Sequence, residues 1–146
     1  MKNLNLYLKK YINDLSASIL GQNVMQLEKA INLILDKIKS NNVIYVCGNG
    51  GSAAIANHYV CDYIKFFRDR TRFKPKIISL SANLETITAI ANDIDYDQIF
   101  KYQAESLVKK KDLIIIISSS GNSKNVIELL KFSKKKKNKN YWFQWI

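Results

Sequence analysis

The stretch Cys47-Gly-Asn-Gly-Gly-Ser-Ala-Ala-Ile-Ala-Asn-His58 decides the fold. The apolar, largely β-branched run Val43-Ile-Tyr-Val46 precedes it, and Tyr59-Val-Cys-Asp-Tyr-Ile-Lys-Phe-Phe67 continues from it. A short strand, a glycine-serine turn and a helix opening are how α/β proteins build an anion site. The glycines let backbone amides approach a ligand, and the free N–H groups of the first helical turn point at negative charge. The same order recurs at Leu113-Ile-Ile-Ile-Ile117, followed by Ser118-Ser-Ser-Gly-Asn-Ser123. Two such turns rich in Gly, Ser and Asn predict a protein that holds a phosphorylated small molecule.

Outward from these turns, the rest of the chain alternates helix and strand. Leu4, Leu8, Ile12 and Leu15 recur at helical spacing, as do Met25, Ala30, Ile34 and Ile38, with Gly21 and Asn23 as a break between two helices. Strands are expected at Val43–Val46, Lys76–Leu80 and Asp112–Ile117. Helices are expected at Ala53–Phe67, Asn83–Ala91, Tyr96–Leu107 and Asn125–Ser133. Pro75, the single proline, introduces the second strand where no ladder donor is needed. Strands separated by helices imply βαβ units, so the fold class is α/β: a parallel sheet with helices on both faces. The third strand is apolar throughout, as a strand covered on both faces should be.

At 146 residues the chain fits one core-bearing domain, and no apolar run approaches a membrane span. Its polar opening is not a signal peptide, and Cys47 and Cys61 form no metal-ligand pattern, so reduced thiols and a cytoplasmic location are expected. The net charge of +11 is concentrated in Lys109–Lys111, Lys131 and Lys134–Lys137. It reads as a solvated face rather than a nucleic-acid surface, because the aromatic residues sit among apolar ones and form no stacking platform.

The end of the chain breaks the pattern. After Lys137, Asn138-Lys-Asn-Tyr-Trp-Phe-Gln-Trp-Ile146 shows neither strand alternation nor a helix face. Tryptophan has a single codon, so a one-base shift turns both tryptophans into glycine. With A/T-rich codons elsewhere, the shifted frame reads Lys-Ile-Lys-Thr-Ile-Gly-Phe-Asn-Gly, a strand and another glycine turn. The expectation is a base gained in the adenine run encoding the lysines, with residues 138–146 an out-of-frame tail and the last strand and helix missing. The alternative is a natural exposed tail.

Three motifs in order carry a family resemblance: Gly48-Asn-Gly-Gly-Ser-Ala-Ala with His58, Thr88-Ala-Ile-Ala-Asn-Asp93, and Ile117-Ser-Ser-Ser-Gly-Asn-Ser123. With the two leading helices, the chain resembles the SIS (sugar isomerase) domain, and within it the phosphoheptose isomerase group. The resemblance runs to about Lys137, giving a helical segment over residues 1–40 and an incomplete SIS domain over 41–137. It implies that Ser118, Ser119, Ser120 and Ser123 wrap the substrate phosphate, while Asn49, Gly50, Gly51 and Ser52 line the sugar site with Asn92 and Asp93. On residues alone, the serines also read as caps of the helix near Asn125, and Asp93 as a turn residue.

The implied reaction is aldose–ketose isomerisation of a phosphorylated sugar through an enediol, sedoheptulose 7-phosphate being the group's substrate. A base takes a proton beside the carbonyl and a proton returns to the neighbouring carbon. Some members bind zinc, and His58 matches the histidine that ligates it. The group's glutamate one turn further on is replaced here by Asp62, a candidate base and metal ligand. Its carboxylate is one methylene shorter, and a displacement of about 1 Å can cost on the order of 100-fold in rate. On residues alone, His58 and Asp62 also read as ordinary helix residues. The group's second catalytic histidine and a metal-holding glutamine lie on a later helix, so the written chain is expected to be poorly stable or inactive. The resemblance further implies a homotetramer with active sites completed between subunits. The rival is a non-catalytic SIS module that binds a phosphosugar or a partner protein, as a relative that assists replication initiation does.

Overall fold

The protein is described by a computed structural model over residues 3–135 and, as backbone, over 141–145. The chain divides into two compact units, residues 1–32 and 33–146. In the first, helix α1 (Leu4–Leu20) closes at Gly21, whose N–H donates to the Ala17 carbonyl at 2.9 Å. Helix α2 (Val24–Lys39) then begins under Asn23, whose Oδ1 accepts from the Gln26 N–H at 3.2 Å. The break expected at Gly21 and Asn23 is therefore made by a backbone C-cap followed by a side-chain bond at the next helix start.

In the second unit the order is β1 (Val43–Cys47), α3 (Gly51–Cys61), a π-helical turn (Asp62–Phe67), α4 (Arg68–Arg70) and β2 (Lys76–Ser79). There follow α5 (Leu84–Asp93), a 3₁₀ turn (Tyr96–Gln98), α6 (Ile99–Leu107), β3 (Leu113–Ser118), α7 (Lys124–Lys135) and β4 (Tyr141–Trp145). The sheet runs β2-β1-β3-β4 with every pairing parallel. Each strand and helix expected from the sequence is present within a few residues.

Alternation along β1 and β3 splits the core into two layers, one on each face of the sheet. Tyr45, Cys47, Ile114 and Ile116 pack with Ile90, Phe100, Ala104, Val126 and Leu129. Ile44, Val46, Leu113, Ile115 and Ile117 pack with Ile38, Ala56, Ile77 and the partly buried Tyr59 and Tyr63. Every residue of β3 is buried, the apolar run Leu113–Ile117 and the closing Ser118 alike. Polar side chains fix the strand starts. The buried Asp112 accepts from the Val43 N–H at 2.9 Å and the Lys109 N–H at 2.8 Å, tying β1 to the turn before β3.

Two elements differ from the sequence reading. The long helix after β1 widens at Asp62 into a π turn, where Tyr59, Tyr63 and Phe67 recur every four residues, the first pair tilted at 4.8 Å and the second stacked at 5.4 Å between centroids. Such single π turns interrupt α-helices where packing demands a different side-chain phase. The second difference is β4. The terminal segment, read as lacking strand character, pairs through its backbone with β3 from Ile114↔Tyr141 to Ser118↔Trp145. Aromatic residues suit a strand, and an open parallel edge supplies hydrogen-bond partners that overrule an irregular pattern. Residues 136–140, which include part of the lysine run, lie outside the described residues.

Candidate active site

The connection after β1 leads to β2 on one side of the sheet, and that after β3 leads to β4 on the other. The carboxyl ends of β1 and β3 therefore flank a topological switch point, where open α/β sheets bind ligands. Both turns singled out in the sequence sit there.

The first turn is tight for a backbone reason. A methyl group on Gly48 would lie 2.6 Å from Ser52 Cβ and 2.8 Å from the Ile117 carbonyl oxygen, so the turn touches the end of β3 directly. Gly50 has φ 52° and ψ −121°, a conformation closed to other residues without strain. Helix α3 then starts with backbone bonds, Ser52 N–H to the Asn49 carbonyl at 2.9 Å and Ala53 N–H to the Gly50 carbonyl at 3.0 Å. Ser81 staples this turn to the end of β2, accepting from the Gly48 N–H at 3.1 Å and donating to its carbonyl at 2.8 Å.

The second turn is held by hydroxyl groups. Ser118 Oγ accepts from the Gly121 N–H at 3.0 Å, and Ser120 Oγ from the Asn122 N–H at 3.2 Å. Ser118 is buried, Ser119 and Ser120 are exposed, and Ser123 is intermediate, its carbonyl accepting from the Ile127 N–H at the start of α7. This turn-closing role lies ahead of α7, since Gly121 and Asn122 precede its first residue Lys124, and is not the helix capping read for these serines. It does not compete with anion binding, because a hydroxyl can rotate to donate while the amides behind it stay oriented.

The turns are joined. Asn49 Nδ2 donates to Asn125 Oδ1 and Asn125 Nδ2 donates to Asn49 Oδ1, both at 2.9 Å. The Tyr96 hydroxyl donates to Asn49 Oδ1 at 3.2 Å, and Lys124 Nζ lies 3.7 Å from Asp97 Oδ2. The segment Asn92–Gln98 is therefore tied to the glycine turn through Tyr96 and to the start of α7 through Asp97. Within it, Asn92 and Asp93 are exposed and paired, Asn92 Nδ2 donating to Asp93 Oδ1 at 2.8 Å.

His58 and Asp62 stand apart from this group. Four residues separate them on one helix face, with His58 Nε2 3.5 Å from Asp62 Oδ1 and both side chains substantially exposed. At 1.5 Å per residue they lie about 10 Å and about 16 Å beyond Gly51 along the helix axis. Among the described residues, no hydrogen bond or ion pair links them to either turn. Two donors on one face fall short of the three protein ligands usual at a catalytic zinc, and no third His, Cys, Asp or Glu among the described residues completes such a set. The pair fits at most part of a metal site.

Sequence reasoning missed Asn125, Tyr96 and Ser81. Asn125 looked like a helix start, and only its burial beside Asn49 reveals a link between turns. Cys47 lies wholly buried in the core, where burial pushes its thiol far above the ordinary range, as its packing role implies.

The SIS domain family profile matches residues 7–139. The chain is 42% identical over 127 residues to the probable phosphoheptose isomerase of Thermoplasma acidophilum, covering 87% of this chain and 69% of that one. It is 44% identical over 108 residues to the phosphoheptose isomerase of Aliarcobacter butzleri, covering 74% of this chain and 57% of the other. The phosphoheptose isomerase structure from Neisseria gonorrhoeae superposes with a TM-score of 0.68 at 28% identity, over 94% of this chain and 72% of that chain. One from Francisella tularensis shares the fold with a TM-score of 0.82 at 23% identity, over 98% of this chain and 74% of the other. Fold, motif order and sequence agree, and the chain belongs to the SIS domain family, in its phosphoheptose isomerase group.

Proposed function

We propose that this chain holds a seven-carbon sugar phosphate and serves the interconversion of sedoheptulose 7-phosphate with its aldose isomer, glycero-manno-heptose 7-phosphate. The observation that carries this reading is the junction of the glycine turn and the serine turn at the switch point of the sheet, with Tyr96 bonded to Asn49 beside them. Ser118, Ser119, Ser120 and Ser123 supply hydroxyls and helix-start amides to the phosphate, a site that needs no bulky cation. Asn49, Gly50, Gly51 and Ser52, with Asn92 and Asp93, face the sugar hydroxyls. Asp62 is the candidate base for the proton next to the carbonyl, with His58 beside it. In a 7-phosphate sugar the reacting carbons lie at the opposite end from the phosphate. A soluble homotetramer acting in the cytoplasm is part of the same proposal, as is the reading of residues 138–146 as out of frame.

The test is incubation of the purified protein with sedoheptulose 7-phosphate in deuterated water, with calorimetric binding measured alongside. Conversion with solvent deuterium at the carbon next to the carbonyl supports the isomerase through its enediol. Binding without conversion fits both the inactivity expected without the group's later catalytic histidine and a non-catalytic phosphosugar module, which the shortened Asp62 side chain would suit. Absence of binding overturns the reading.

A further inference from the structure

The reciprocal amide pair between the two turns points to a role for a residue with no assigned function. Asn125 is 1% exposed, far too buried to meet a ligand. Its orientation is fixed from both sides. The Val126 backbone N–H, which can only donate, reaches Asn125 Oδ1 at 2.9 Å. The Asn125 amide nitrogen must therefore face Asn49 Oδ1, and Asn49 Nδ2 in turn meets Asn125 Oδ1. The Tyr96 hydroxyl adds a second donor to Asn49 Oδ1. Asn49 is thus the knot of a network that joins α7, the 3₁₀ turn and the glycine turn. Neither Asp nor Gln reproduces it: Asp lacks the amide donor, and Gln is longer by a methylene.

We propose that Asn125 is a positioning residue, acting through Asn49 to set the spacing between the serine turn and the glycine turn. This rests on the sugar-phosphate reading of the site. It makes a claim that simple structural support does not make: the pair matters for ligands that span both turns and not for ligands that occupy one. Sedoheptulose 7-phosphate spans them; inorganic phosphate occupies the serine turn alone.

The experiment measures both affinities by calorimetry on the full chain, with Tm recorded for each variant. In Asn125→Ala, sedoheptulose 7-phosphate should bind about 10-fold to 100-fold more weakly, the scale of a misplacement near 1 Å. Inorganic phosphate should change by less than about twofold on the same reasoning. Equal weakening of both ligands would reduce Asn125 to a support of the serine turn, and no weakening of either would remove it from the site; each overturns the proposal. Tyr96→Phe deletes one hydroxyl from an exposed position and guards against misfolding at the buried site. It should weaken the sugar phosphate about fivefold, the worth of one neutral hydrogen bond, and leave phosphate unchanged. An unchanged sugar-phosphate affinity in that variant counts against the proposal. Failure of the unmodified protein to bind sedoheptulose 7-phosphate sinks the functional reading first and the spacing role with it, and is seen before any variant is made.

Discussion

The glycine turn after β1 and the serine turn after β3 hold equivalent places in the topology but are built by different means. In the first, main chain packs on main chain: Gly48 lies against Ser52 and the Ile117 carbonyl, and the opening N–H groups of α3 close on the Asn49 and Gly50 carbonyls. In the second, Ser118 and Ser120 hydroxyls satisfy the amides, and the outer serines face solvent. A packed backbone offers shape and no adaptable donors, whereas hydroxyls rotate and can exchange an amide for a phosphate oxygen. The difference teaches a division of labour. The glycine turn should govern stability and the shape of the sugar site, and the serine turn should govern anion affinity.

The largest effect expected is at Gly48. Its substitution by alanine drives a methyl into two backbone atoms and a side-chain carbon that cannot easily yield. A loss of about 3 kcal/mol, the upper end of overpacking costs, is expected, with Tm falling by about 10 °C. A calorimetric scan showing no fall would mean the turn is looser than the geometry states. Gly50→Ala comes next, at about 2 kcal/mol, because the cost there is backbone strain at positive φ rather than collision. Urea midpoints of the two variants should therefore keep this order, and a reversal would break the picture of a packed turn.

Ser118→Ala tests the other side of the comparison. The lost hydroxyl leaves the Gly121 N–H without its partner, a change comparable to removing a helix cap, about 1 kcal/mol. Phosphate affinity should fall more than the stability loss alone would suggest, by about 10-fold for a hydrogen bond to a charged group. Equal affinity for phosphate in the variant and the parent would move the anion site away from this turn.

Much of this division was legible in the sequence. The runs Val43–Val46 and Leu113–Ile117 announce buried strands, and Gly-Asn-Gly-Gly-Ser and Ser-Ser-Ser-Gly-Asn-Ser announce turns, because those residue types carry their conformational needs locally. What was not legible depends on long-range juxtaposition. Nothing near Asn125 in the chain says that it faces Asn49, 76 residues away, nor that Ser81 reaches Gly48 across 33 residues. The β4 strand was missed for a related reason: Tyr141–Trp145 has no alternating pattern, and it is pairing with β3 that makes it a strand. The π turn at Asp62 was missed because no breaker residue marks it in the sequence.

The smallest expected change in stability is the sharpest test of the site. A methyl group on Gly51 would meet nothing within 4 Å, and the residue is the first of α3 with no positive φ. On folding grounds Gly51→Ala should therefore be neutral or stabilising, by about 0.5 to 1 kcal/mol, since alanine restricts the unfolded chain and favours the helix. The open space in front of that position is also where a sugar would lie if the glycine turn lines the site, and the same methyl would then occupy part of the ligand's volume. The two expectations separate cleanly. A variant with an equal or raised Tm that has lost sedoheptulose 7-phosphate affinity, yet still binds inorganic phosphate, places the sugar against the glycine turn and the phosphate against the serines. A variant that keeps both affinities leaves the space before Gly51 as solvent, and the sugar must then be sought away from the glycine turn.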